Sequence, residues 1–439
     1  MRLSLATLAQ VAPEVRRPAY DPREVQVGVV HLGVGGFHRA HQAVYLDDAI
    51  AQGDRLWGIV GVSMRKPDVA QALAAQDGLY TVETLDVTPT FRVIGALRRA
   101  RTLPLDPDGV LADLAAATTH LVTLTVTEKG YCLAGEGLDF AHPDIIHDLT
   151  HPDAPRSAAG VLVAGLARRR AGGGAPLTVI SCDNLMDNGA RLRASVLALA
   201  ERRDPGLARW IEGAVAFPDT MVDCIVPAAT DASRARTDAV LGLADHASVQ
   251  REAYSEWVIA DRFAGPAPDW RSLGVTITDD VAAARRLKLH VLNAAHSALA
   301  YLGLERGHAL VRQAIADPEL AARLDALMRD EVAPALPELP VADYWRRTRA
   351  RFANPAIDHR LDQIGEDGAF KLSQRLYPLI LANARAGRPT AGMLAVVQAY
   401  LRRHPPADAA ALQHLFPAEL WSDPDLRRAL TPTPLPLQD

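Results

Sequence analysis

The sequence predicts an α/β protein, with a doubly wound domain over residues 1–275 and a mostly α-helical domain over 276–439. Three observations lead there. Short β-rich runs alternate with helical stretches through the first half, the pattern of βαβ units around a parallel sheet. The first of these runs ends in a glycine-rich turn. Beyond residue 265 almost only helical periodicity continues, broken by Pro334, Pro337, Pro340 and Pro355. A chain of 439 residues has room for two cores at ~150 residues per domain.

Residues 26–32 form the first strand, which meets Gly33-Val34-Gly35-Gly36-Phe37-His38; from Arg39 to Ile50 the period is helical. Glycines at such a turn let main-chain N–H groups approach a pyrophosphate, and the helix start that follows adds free donors and a positive dipole end. The pattern is G-x-G-x-x-H, with His38 where a third glycine would serve close helix–strand packing. Residues 56–62 read as the second parallel strand. An acid at its end would hold an adenosine ribose, but Arg65 and Lys66 come first and Asp68 only after Pro67, so NAD and NADP both stay open. The runs 78–83 and 91–96 read as an antiparallel or edge addition to this sheet.

The run 119–126 is a further strand, and Glu128 directly beyond it is either a site acid or a cap for the next turn. Arg168 to Pro176 reads as an exposed basic loop, and 177–182 as another strand, ended by Asp183-Asn184. Any polar residue from Asn184 to Asn188 can cap the helix that runs to about Arg203. In a parallel, doubly wound sheet the strand ends carrying Gly33, Glu128 and Asn184 converge on one crevice. Asp223, among Met221, Val222 and Ile225, is either a structural acceptor or the wall of a site.

Composition narrows the function. Hydrophobic residues at 49%, charged residues at 23% and a net charge of -5 give no polyanion-binding signature, so no nucleic-acid partner is expected. No apolar run approaches the ~18 residues of a membrane span and the N-terminus has no h-region, so a cytoplasmic protein without a membrane partner is expected. Three cysteines without a C-x-x-C pair and 14 histidines without H-E-x-x-H imply neither a disulfide framework nor a metal site.

The densest group of polar residues on an apolar background is Lys288-Leu-His-Val-Leu-Asn293-Ala-Ala-His296, within the Ala-rich run 281–302, which reads as one buried helix. At ~100° per residue, Lys288 and Asn293 differ by ~140° and Asn293 and His296 by ~60°, so all three can lean to one side. Polar groups in a core need partners or a ligand. The alternative is a snorkelling lysine and a hydrogen-bonded core histidine.

Together, GVVHLGVGGFHRAHQAVYLDD, TVTEKGY, ISCDNLMDNG, FPDTMVDCIVP, EWVI and KLHVLNAAHSALAYLG, in this order between about Val27 and Arg375, resemble the mannitol dehydrogenase family, the polyol-specific long-chain dehydrogenases. The resemblance implies a metal-independent, NAD(P)-linked oxidoreductase with a Rossmann-type first domain, a mostly helical second one and a site between them. It implies Lys288 as general base, Asn184 and Asn293 holding the alkoxide or carbonyl oxygen, His296 orienting substrate and Glu128 serving a proton path. The family's glycine motif tolerates a non-glycine at the place of His38. Cofactor contacts are expected from Gly33, Gly35, Gly36, Phe37, His38 and Arg39, with Arg65, Asp68 and Asp223. Substrate contacts are expected from Asn184, Asp223, Asn293, His296, Gln363 and Lys371.

The leading expectation is therefore a cytoplasmic NAD-dependent enzyme, NADP being the alternative, that interconverts a sugar alcohol and a ketose of the mannitol/fructose type. Polyol-oxidising members often carry an arginine where Gln363 aligns, while Lys371 and Arg375 remain nearby. If these two reach the pocket they suit a carboxylate, which makes a hexuronate reductase acting on fructuronate and mannonate the runner-up. A non-catalytic nucleotide sensor is the rival outside the class. A monomer or a small homo-oligomer is expected.

Overall fold

A computed structural model of the protein describes residues 1–135 and 137–431. Beyond Thr431 the proline-rich tail, whose sequence reads as extended or frayed, lies outside the described residues. The chain divides into two compact units, Met1–Val281 and Ala282–Asp439. The short strand Thr276–Thr278 pairs with Glu256–Ala260 and so belongs to the first unit, which carries the division past residue 275.

The first unit is built on six strands: β1 (Val27–Leu32), β2 (Gly58–Ser63), β3 (Leu97–Thr102), β4 (Leu121–Leu124), β5 (Leu177–Ser181) and β6 (Val215–Ala216). Their order across the sheet is β6-β5-β4-β1-β2-β3, and every neighbouring pair is parallel. The chain starts in the middle and winds outward both ways, so the order reverses between β1 and β4, where α/β sheets leave a crevice at the strand ends. Both faces are buried. Val30, Leu32, Val60, Val62 and Val122 pack with the helices Pro107–Ala115, Ala158–Ala171 and Asn188–Arg203, while Val29, Ile59, Leu121 and Ile180 face the helix Gln42–Ala51. Burial on both faces is why these strands read as continuous apolar runs.

Two expectations are corrected here. The predicted hairpin exists, Tyr80–Leu85 against Thr90–Ile94, but with Val249–Glu252 it forms a separate three-stranded sheet. The edge of the main sheet is β3, Leu-Arg-Arg-Ala-Arg-Thr, whose alternating Arg99 and Arg101 hid it; both pair with Asp113 on the helix covering them, Arg99 at 3.2 Å. The expected basic loop at 168–176 begins instead with the last turn of a helix, and Arg169 is 2% exposed. Its guanidinium donates to the carbonyls of Ala175, Ala116 and Thr119 at 2.7, 2.8 and 2.9 Å, tying strand and helix ends together.

The second unit is helical. Its centre is the run 281–305, an α-helix (Val281–Leu287), a π turn (Lys288–Asn293) and a second α-helix (Ala294–Glu305). Every residue from Ala294 to Gly303 is buried, as expected of a helix apolar on all sides. Val341–Phe352, Gly368–Arg375 and Ala391–Arg403 contribute Trp345, Leu372 and Val397 to the same core. Among the described residues no helix is long and apolar enough to cross a membrane.

Candidate active site

In the first unit the polar positions singled out from the sequence gather at the ends of β1, β4 and β5. Gly33 turns the chain at φ +98°, and a Cβ there would lie 2.2 Å from the Thr125 carbonyl oxygen, so only glycine fits. Its N–H donates to Val62 O at 2.8 Å, and its carbonyl accepts the Thr125 hydroxyl at 2.9 Å. A Cβ at Gly35 or Gly36 would meet nothing nearer than 3.8 Å and 4.0 Å respectively. That open main chain, at the switch point of the sheet, fits the close approach of a dinucleotide pyrophosphate.

His38 occupies the third glycine's place by a different device. Its ring is fully buried and stacks on His31 of β1, centroids 3.4 Å apart and 11° from coplanar. The His31 Nδ1 accepts from the Thr123 hydroxyl at 2.7 Å while Nε2 donates to Gly33 O at 3.0 Å. Burial keeps both imidazoles neutral, His31 at about 3 and His38 well below the usual range. Two flat rings thus make the close helix–strand contact. The Arg39 side chain also points inward, donating to the Gly35 and Ala247 carbonyls. The side chains of His38 and Arg39 are thus both directed into the protein. Phe37 is half-buried and stacks on His41 at 5.0 Å. Arg65 and Asp68 are exposed, Asp68 at the start of the helix Asp68–Ala74.

Past β4 the chain enters a 3-10 turn, Glu128–Tyr131, through Thr127 at φ +66°, ψ +162°. For a β-branched residue this conformation costs ~1–3 kcal/mol and needs to be held. Asp183 holds it: its carboxylate accepts the N–H groups of Val126 and Thr127 at 3.0 and 2.9 Å and the Tyr131 hydroxyl at 2.8 Å. Sequence reasoning took Asp183 only as a strand terminator. Its neighbour Asn184 is exposed, and the residue at the N-cap of the helix Asn188–Arg203 is Asp187. At that helix start the Gly189 N–H donates to the Asn188 and Asp219 side chains, each at 2.9 Å. Asp223 ends the strand Thr220–Asp223 and is 5% exposed.

Next to this turn, Cys132, His142 and Asp144 bring a thiol, an imidazole and a carboxylate within 4.8 Å of one another, a grouping that no metal-binding spacing announced. His142 Nδ1 accepts the Asp144 N–H at 3.2 Å, capping the helix Pro143–Thr150. Burial, then Asp144 and Asp148, push the Cys132 thiol up to about 11.

In the second unit Lys288 and Asn293 are the first and last residues of the π turn, both half-buried. The Ala294 N–H reaches back to the Leu289 carbonyl, five residues away. One turn of this wider helix spans the interval from Lys288 to Asn293 and brings them to the same side, where a regular α-helix would leave them ~140° apart. The turn is clamped from the helix Gly368–Arg375: Arg375 Nη1 donates to Asn293 O at 3.1 Å and to Ser297 Oγ at 3.0 Å, and His290 Nδ1 donates to Arg375 O at 2.9 Å.

His296 is 7% exposed, its ring against Phe352 (4.3 Å) and His359 (5.2 Å), and its Nε2 has no hydrogen-bond partner among the described residues. Burial first, then the surrounding His359, Arg375, Arg351 and Lys371, hold its pKa well below the usual range. Lys371 Nζ donates to Ile364 O at 3.1 Å, and among the described residues no carboxylate pairs with Lys371 or Arg375. Burial lowers Arg375 to about 10. Gln363 lies exposed on the short helix Leu361–Gly365.

The chain matches known proteins over most of its length. Residues 27–272 match the model of the mannitol dehydrogenase Rossmann domain, and residues 280–422 that of the mannitol dehydrogenase C-terminal domain. The chain is 40% identical to the D-mannonate oxidoreductase of Escherichia coli (strain K12), over 85% of this chain and 79% of that protein. It is 39% identical to a mannitol 2-dehydrogenase of Cereibacter sphaeroides, over 87% and 81%. The solved Pseudomonas fluorescens mannitol 2-dehydrogenase, a ternary complex with NAD and D-mannitol, superposes with a TM-score of 0.83 at 35% identity, covering 98% of this chain and 88% of that one.

Proposed function

This chain belongs to the mannitol dehydrogenase family, and on that footing we propose that it is an NAD-dependent oxidoreductase interconverting a secondary alcohol of a polyhydroxy chain with the ketone, mannitol and fructose being the leading pair. Bound NAD supplies the hydride acceptor. The main-chain N–H groups of Gly36, Phe37 and His38, which open the helix after the glycine turn, would hold its pyrophosphate, because those of Gly33, Val34 and Gly35 already donate to carbonyls of the protein. Arg65 and Asp68, at the end of β2, are the residues that choose between a ribose hydroxyl and a 2′-phosphate.

Lys288 is the general base that takes the hydroxyl proton. A lysine does this near neutral pH only with a depressed pKa. The amide N–H groups of Asn184 and Asn293 stabilise the negative charge that develops on the oxygen, the work a Lewis acid does elsewhere, so the reaction proceeds without a metal. His296 orients the substrate and Glu128 passes the proton on. The observation that carries this reading is the π turn, which aligns Lys288 with Asn293 and is followed after three residues by His296.

A second reading is favoured by the cations. Lys371, Arg375, His359 and His296 surround one region, and among the described residues no carboxylate is in ion-pair contact with Lys371 or Arg375, Asp367 and Glu366 acting on Lys371 only from farther off. Such a group suits a terminal carboxylate, which makes an aldonate such as mannonate the substrate and the 2-keto or 5-keto sugar acid its partner. The test is a panel of pentitols, hexitols and aldonates with NAD and with NADP, read by the absorbance of reduced nicotinamide. Reduction with a hexitol or pentitol supports the leading reading. Reduction with aldonates alone moves the assignment to the acid, and silence with every compound sinks both.

A further inference from the structure

We propose that Asp183 is a positioning residue for this reaction: its carboxylate holds Thr127 in its left-handed conformation and so fixes where Glu128 stands relative to Asn184. The inference rests on the reading that Glu128 and Asn184 serve the reaction. Both oxygens of Asp183 are used. One accepts the Thr127 N–H at 2.9 Å, the other the Val126 N–H at 3.0 Å and the Tyr131 hydroxyl at 2.8 Å. The contacts bracket Glu128, two on its N-terminal side and one at the far end of its turn. The Tyr131 hydroxyl also meets Ser181 Oγ, and Cys182 N–H donates to Leu124 O at 2.8 Å, so the bracket is anchored to β5 on one side and β4 on the other. Asp183 is followed directly by Asn184, so one carboxylate couples the main chain that carries the acid to the main chain that carries the amide.

The chemistry requires an ionised carboxylate at this place. Two converging main-chain N–H donors and a hydroxyl need three acceptor sites in one plane, which a carboxylate offers and a carboxamide does not, because its NH2 would face a donor. Thr127 has a Cβ that opposes positive φ, so it leaves this conformation once the grip is loosened, and Glu128 moves with it. Glycine at 127 would adopt the same φ without that opposition.

The test uses the full chain and the faster substrate of the panel above. Asp183→Asn is expected to lower kcat by about tenfold or more with KM for NAD nearly unchanged, and Thr127→Gly in the Asp183→Asn background is expected to recover part of that loss. In a Glu128→Gln background, Asp183→Asn is expected to add little, because its effect passes through Glu128. Tyr131→Phe removes one of the three contacts and gives a smaller loss of the same kind should Asp183→Asn fail to fold. If the losses from Glu128→Gln and Asp183→Asn multiply, or if Thr127→Gly restores nothing, Asp183 is only a structural residue and the inference is overturned while the role of Glu128 stands. If Glu128→Gln is fully active, the underlying reading of Glu128 fails and the inference falls with it.

Discussion

The Arg375 guanidinium donates to the Asn293 carbonyl across 3.1 Å, and with Ser297 Oγ at 3.0 Å it fastens the last residue of the π turn to the next helix. This cation is largely buried without a carboxylate, so its removal deletes an uncompensated charge along with two hydrogen bonds. Arg375→Met should therefore change the unfolding midpoint little, within about 1 kcal/mol, because loss of a desolvated charge offsets loss of its contacts. Turnover should fall by about tenfold or more as Asn293 loses its anchor. A variant with full kcat would remove Arg375 from the positioning of the turn.

Lys288→Ala should abolish turnover, a loss of about 10²–10⁴-fold for a missing general base, while NAD binding followed by fluorescence stays intact. Cofactor affinity is assigned to the glycine turn of the other unit, so a parallel loss of NAD binding would count against a role confined to proton removal.

Gly33→Ala places a Cβ 2.2 Å from the Thr125 carbonyl oxygen at φ +98°. The main chain must shift, at a cost above ~1 kcal/mol, and the pyrophosphate cradle shifts with it. Weakened NAD binding together with a lowered melting temperature is expected. Gly36→Ala, whose Cβ meets only Val226 at 4.0 Å, is the comparison, and should spare stability while obstructing the pyrophosphate.

Acid should destabilise both units from about pH 6.5 downward. His31 and His38 in the first, and His290, His296 and His359 in the second, are held by burial below the ordinary value of 6.5. The unfolded chain therefore takes up these protons first, so the stability they contribute is complete above 6.5 and is lost as the pH falls. Each histidine adds up to ~1.4 kcal/mol per pH unit once well below that value. Urea unfolding at pH 7.5 and 5.5 measures the difference, and equal midpoints would contradict the burial of these rings in neutral form.

How much was legible in the sequence follows from what each element buries. β1, β2, β4 and β5 are covered on both faces and read as plain apolar runs, and Gly33 marked the turn because no other residue fits there. β3 was missed because an edge strand carrying Arg99 and Arg101 does not look buried until Asp113 is seen above it. Asp183 reads as a strand terminator, since an acid's partners two strand ends away leave no trace in local spacing. The π turn between Lys288 and Asn293 was hidden for a related reason. Apolar periodicity reports an α-helix at ~100° per residue, and a single wider turn inside it leaves the pattern intact on either side.

That wider turn also sets a rule about chain length. A stretch bonded five residues back holds one residue more than the same rise of α-helix, so a deletion between Leu289 and Leu292 need not break the helix; it can relax it into a regular one. Asn293 would then follow Lys288 by four residues, ~400° about the axis, so the two stay on the same side while the alanine-lined core still closes. The segment therefore absorbs the loss of one residue without misaligning Lys288 and Asn293, whereas removal of two would turn everything after it by ~100°.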